Sequence, residues 1–106
     1  MKPKLLMGYC TFPSGDKAEE ICTRLVKEGI VACANIFPTH KAIYRWQNNL
    51  KVETECGVFF KTTSRKVEAL KERIRAIHPY SVPALVLWPI EDGNPDFLNW
   101  ISGECL

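Results

Sequence analysis

No stretch of this chain approaches the ~18 consecutive apolar residues of a membrane-crossing helix, so no membrane partner is expected. Neither sign of charge dominates. The 14 Lys and Arg stand against 12 Asp and Glu, for a net charge of +2, and both signs are spread along the chain. That balance gives no electrostatic reason to expect nucleic acid or an anionic membrane surface. Histidine is scarce, with only His40 and His78. The five cysteines are odd in number, scattered, and never spaced Cys-x-x-Cys, which excludes a disulfide framework and a zinc knuckle. No P-loop, G-x-G-x-x-G or H-E-x-x-H occurs. The "EDGNPD" of residues 91–96 lacks the spacing and terminal glutamate of an EF-hand. The opening "MKPKLLMGYC" has two lysines but only a short apolar stretch and no small-residue cleavage site. It reads as a first strand, not a signal peptide. The reducing cytoplasm is then the expected compartment, with each cysteine a small buried apolar residue.

What is present is a core. Hydrophobic residues make up 46% of 106 residues, which suits one packed domain over 1–106. Residues 4–12 are short and apolar, a strand. In 13–29, Ala18, Ile21, Cys22, Leu25 and Val26 recur on one helical face. Asp16 and Glu19 have capping-box spacing, Glu20 and Arg24 are an i,i+4 pair, and Gly29 stands where the helix should stop. Residues 30–37 read as a second strand interrupted by Pro38, and 41–46 resume extended. "QNN" turns the chain, because Asn tolerates positive φ, and a long strand follows over 50–62. A second helix over 64–77 aligns Val67, Leu70, Ile74 and Ile77, and Pro79 ends it. Residues 84–90 form the last strand. A short helix over 94–101 starts with Pro95 at its first position. The order β-α-β-β-α-β with an added C-terminal helix predicts an α+β, ferredoxin-like sandwich with an antiparallel sheet.

That architecture leaves a surplus of apolar surface. Val31, Cys33 and Phe37 point one way and Ile30, Ala32, Ala34 and Ile36 the other. Ala84, Val86 and Trp88 likewise oppose Leu85 and Leu87. A half-solvated antiparallel sheet should alternate apolar with polar, and two helices cover one face. A bare second face would exceed the ~300–600 Å² patch usual for a monomer. Further copies of the chain are the expected cover. The alternative is that the terminal helix and the Trp46 hairpin fold back over it.

Two residues could carry chemistry together. In this fold the end of the first strand meets the start of the fourth, which brings Cys10 toward His78. A thiolate and an imidazole suit Cu(I), Cu(II) or Zn(II), though a closed zinc site takes four protein ligands. The structural reading has Cys10 packed in its strand and His78 donating to a backbone carbonyl at the helix end. A Cys–His nucleophile lacks an orienting third residue and an oxyanion hole. "CGVFFKT" has a faint likeness to the aromatic strand of an RNA-recognition motif, but Glu53 and Glu55 lie just upstream. Tyr44, Trp46, Tyr80, Trp88 and Trp100 are candidates for a cleft or interface between subunits. Lys61, at the end of "FFKT", is a candidate anion holder there.

"CTFP", "LVKEGIVACANIFP", "AIYRWQNNL", "FFKT", "ALKERIRAIHPYSVPAL" and "PIEDGNPDFLNWI" together resemble the CutA divalent-cation tolerance family, in order and spacing over nearly the whole chain. The resemblance implies a ferredoxin-like homotrimer related in architecture to the PII signalling proteins. It implies a non-catalytic role that binds copper or another divalent metal, not required for folding, and acts in regulation. The alternative it leaves is a small-molecule-sensing, PII-like adaptor without a physiological metal. Three departures stand out. Asn48 replaces a glycine usual in the family, Ala84 replaces a glutamate near His78, and Ile77 stands where copper-associated members can carry a second histidine.

Overall fold

The structure is a computed structural model and describes residues 2–106. Its order is β1 (Leu5–Phe12), α1 (Gly15–Lys27), β2 (Cys33–Trp46), β3 (Asn49–Thr63), a 3-10 turn (Ser64–Lys66), α2 (Val67–Ile77), β4 (Leu85–Pro89) and α3 (Pro95–Glu104). The sheet runs β2-β3-β1-β4, and every neighbouring pair is antiparallel. The sandwich read from the sequence is therefore the fold.

Local chemistry explains each boundary, and in places corrects the expectation. Ser14, not Asp16, caps α1, and its hydroxyl accepts the Lys17 N–H at 3.1 Å. Asp16 sits instead in the first turn, where a carboxylate suits the positive end of the helix dipole. The exposed ion pair on this helix is Lys17–Glu20 at 3.2 Å rather than Glu20–Arg24. Gly29 ends the helix at φ +70°, a conformation that glycine adopts without strain. A Cβ there would also fall 2.7 Å from that of Leu106. Asn94 caps α3 by accepting the Asp96 N–H at 3.0 Å, and Pro95 follows at the first position, where its missing N–H costs nothing. The helix runs on to Glu104, past the expected end at Ile101.

The largest departure is in β2. Pro38 does not break it. The strand is continuous from Cys33 to Trp46, and its register with β3 shifts between Ile36 and Thr39. Phe37 and Pro38 fill that bulge, a place where a residue without an N–H removes no ladder bond. Ile30 to Ala32 are buried but precede the strand. At the far end Gln47 (φ 49°) and Asn48 (φ 66°) make a two-residue turn, the left-handed pair whose twist matches the flanking strands. β2 and β3 thus form a long hairpin arm, which stretches the molecule to 46 × 25 × 23 Å.

α1 and α2 pack on the sheet face that carries Cys10, Phe12, Val58 and Phe60, all fully buried. Ala18, Ile21, Cys22 and Leu25 of α1 and Leu70 and Ile74 of α2 complete this core. Val26, placed on the apolar face by periodicity, is instead exposed. Arg73 of α2 donates two hydrogen bonds to Glu28, at 2.8 and 2.7 Å, and ties the helices together.

The opposite face has no such cover. Neither proposed fold-back occurs. The arm runs straight out, with Trp46 exposed. Instead the two residues that follow α3 dock beside the core, Leu106 N–H on the Gly29 carbonyl and Cys105 near Thr62. Phe37, Tyr44, Trp46, Val86 and Trp88 are left exposed on the bare side.

Candidate functional site

His78 occupies the joint between α2 and the loop to β4. Its backbone N–H still closes the helix on Ile74, while its φ and ψ are already extended, as the following Pro79 requires. The ring is 8% exposed and stacks on Phe12 with centroids 4.8 Å apart. Nδ1 accepts the Tyr80 N–H at 3.0 Å. That bond leaves Nδ1 without a proton, so Nε2 carries it and donates to the Thr11 carbonyl at 2.8 Å. Burial holds the pKa of His78 below the ordinary histidine value, against smaller opposing effects of Thr11 and Glu55.

Cys10 meets His78 at the same carbonyl. Its Sγ lies 3.8 Å from Thr11 O, and β1 pairs Cys10 with Leu85 of β4. The juxtaposition expected from topology is present, but its chemistry is that of packing. Cys10 is fully buried, and burial first, then the neighbouring Cys22, pushes its thiol up to about 12. Both nitrogens of His78 are already used, and Ala84 offers no carboxylate. In this arrangement the pair does not fit a divalent metal. Among the described residues no group of three or more His, Cys, Asp and Glu is placed to hold one.

The sheet's bare face offers a different site. A groove of about 750 Å³ runs along the root of the hairpin arm. Tyr9, His40, Tyr44, Trp46, Glu55 and Tyr80 are among its lining residues. The register puts His40 directly opposite Glu55. Glu55 is 7% exposed and bonds to the Tyr80 hydroxyl. Burial first, and then that hydrogen bond and the charge of Glu55, raise the pKa of Tyr80. Tyr9 is raised by burial and then by Glu55, and Tyr44 by burial and then by Glu53 and Glu55. Gly57 keeps the floor open. A Cβ there would stand 3.1 Å from the Tyr9 hydroxyl and 3.3 Å from His40 Cε1.

Of the residues singled out in the sequence, Tyr44, Trp46 and Tyr80 come together here. Lys61 and Trp88 lie on the same sheet face but farther along it. Lys61 donates to the Asn35 side chain, and Trp88 meets Phe59 edge-on at 6.1 Å. Trp100 stacks on Phe97 of α3, centroids 5.6 Å apart, away from the groove. Glu55 and His40 were missed. Counting back from the two-residue turn would have paired them, but in the sequence Glu53 and Glu55 figure only as charges against an RNA-binding strand.

A family model described as CutA1 divalent ion tolerance protein matches residues 6–104. The divalent-cation tolerance protein CutA of Pyrococcus horikoshii is 39% identical over 100 residues, covering 94% of this chain and 97% of that protein. That of Thermus thermophilus is 43% identical over 91 residues, covering 86% and 88%. Among solved structures, CutA1 of Oryza sativa superposes with a TM-score of 0.95 at 27% identity, covering 99% of this chain and 96% of its own. The periplasmic divalent cation tolerance protein CutA of Archaeoglobus fulgidus gives 0.91 at 33% identity, covering 96% and 99%. No helix among the described residues is long and apolar enough to cross a membrane. On sequence and fold alike, the chain belongs to the CutA divalent-cation tolerance family.

Proposed function

We propose that this chain works as a non-catalytic homotrimer, a PII-like adaptor that senses a small molecule in the groove at the root of its hairpin arm. The carrying observation is the bare sheet face. Val86 is 56% exposed, Phe37 47% and Trp88 40%, and an apolar face of this kind is a surface for association. Tyr9, Phe37 and Trp88 all pack on the central Phe59, so the face is a connected aromatic sheet, not scattered side chains. Further copies seated on it would wall in the groove. The cytoplasm suits the five cysteines, all of which are unpaired.

A second reading keeps copper, or another divalent metal, at Cys10 and His78. Their convergence on the Thr11 carbonyl favours it. To bind there, His78 would have to release Tyr80 or Thr11 and the thiol would have to ionise in the core. Native mass spectrometry with and without Cu(II) separates the readings. The adaptor reading expects three subunits in both conditions. Stoichiometric copper that disappears in a Cys10→Ser, His78→Ala double variant would establish the metal reading in its place. A single subunit at micromolar concentration would overturn the trimer.

A further inference from the structure

A groove floored by a buried carboxylate and walled by tyrosine rings asks for an occupant with positive charge and apolar bulk. Glu55 has no more than 7% of its surface in contact with solvent, and its hydrogen-bond partner is the neutral Tyr80 hydroxyl. The molecule's described ion pairs, Lys17–Glu20, Glu68–Lys71 and Glu28–Arg73, all lie on the helical side or at the helix ends. None of them neutralises Glu55. Tyr9, Tyr44 and Tyr80 come from β1, β2 and the loop before β4, so three separate elements converge on one carboxylate. Glu53, two residues along β3, lies on the same face and adds to the negative potential that Tyr44 feels. Two lysines are near but are not paired with Glu55 in any described ion pair. Lys41 is among the lining residues, though it alternates to the other side of its strand from His40, and Lys51 stands opposite Tyr44, four residues up β3 from Glu55.

Each class of ligand can be weighed against this lining. An anion would face Glu53 and Glu55. A neutral molecule would leave the charge of Glu55 with the Tyr80 hydroxyl but no counter-charge. A divalent ion would find no group of three or more ligating side chains placed together among the described residues, and would gain nothing from the rings. An organic ammonium uses every part. Its charge pairs with Glu55, and its methyl or methylene groups lie on aromatic faces, where cation–π attraction adds to apolar burial. The cavity, about 750 Å³, is within the range of small-molecule sites.

We propose that the groove binds a small organic ammonium cation, its charged head on Glu55 between the rings of Tyr9, Tyr44 and Tyr80. This assignment rests on the groove being the working site, and it names the chemical class of what that site senses.

The test is calorimetric titration of the whole protein with choline at pH 8. The control titrant is 3,3-dimethyl-1-butanol, the same shape with carbon in place of the charged nitrogen. Saturable choline binding is expected, with the neutral analogue weaker by at least about tenfold. Glu55→Gln should lose about as much, and Tyr44→Leu, at a half-exposed position that does not support the core, several-fold. Equal binding of the neutral analogue, full affinity in a folded Glu55→Gln, or no choline binding at all would each overturn the assignment. Native mass spectra of the same samples report the subunit number. An intact trimer that ignores choline sinks the ligand class and leaves the assembly standing, whereas a lone subunit sinks the proposed function itself.

Discussion

His78 shows how one side chain can be legible in position and illegible in role. "HPY" told that a helix stops there and that the ring sits near the end of β1. It could not tell that both nitrogens would be used, because Tyr80 N–H and the Thr11 carbonyl, 67 residues away in sequence, supply the bonds. The consequence is a pH dependence with a definite sign. Burial lowers the pKa of His78 in the folded protein, so the unfolded chain binds more protons around the ordinary value of ~6.5. The stabilisation is complete above that value and is lost as pH falls through it toward the lower folded one. The wild-type melting temperature should therefore drop more steeply between about pH 7 and 5 than that of His78→Gln. The variant should itself be about 1–3 kcal/mol less stable at neutral pH, from the lost stacking and hydrogen bonds. Parallel pH profiles would show that His78 contributes no such linkage. Cys10 carries a companion prediction. A fully buried thiol pushed up to about 12 should resist iodoacetamide near neutral pH in the folded protein, with labelling followed by mass spectrometry. Rapid modification there would mark an activated nucleophile.

Among the elements, the helices were read well because a 3.6-residue stripe survives any detail of packing, as Leu70 and Ile74 of α2 show. Strands were read less well at their ends. Pro38 looked like a break because the sequence does not show which side of a strand is bulged. Asp16 has the spacing of a cap, but the backbone is extended at Ser14, whose hydroxyl accepts the Lys17 N–H. The turn after Trp46 was legible from asparagine's tolerance of positive φ, and Asn48 does take that conformation at 66°. Gln47 takes it too, at 49°, without asparagine's local compensation. A left-handed residue with a side chain costs about 1–2 kcal/mol, partly offset by the extra freedom that glycine has when unfolded. Gln47→Gly should therefore raise stability by about 0.5–1 kcal/mol in urea unfolding. Gly29→Ala should do the opposite, because its Cβ meets Leu106 at 2.7 Å in a left-handed conformation. A neutral result at either site would show that the backbone there relaxes freely.

For the whole molecule, the decisive feature was visible in the sequence as strands apolar on both sides, and the structure leaves one of those sides open. The groove was not visible as such. It needs His40 and Glu55 brought across a hairpin, Gly57 keeping the floor clear, and Tyr9 and Tyr80 arriving from other elements. Association through the bare face predicts that Trp88→Glu, which sets a charge amid the aromatic cluster around Phe59, shifts the protein to single subunits at micromolar concentration while its far-ultraviolet circular dichroism stays unchanged. The most direct measurement is sedimentation velocity of the wild-type chain at low micromolar concentration. One species with the mass of three subunits is the predicted result. A stable, well-behaved single subunit would contradict the account, because the exposed aromatic face would then need no partner.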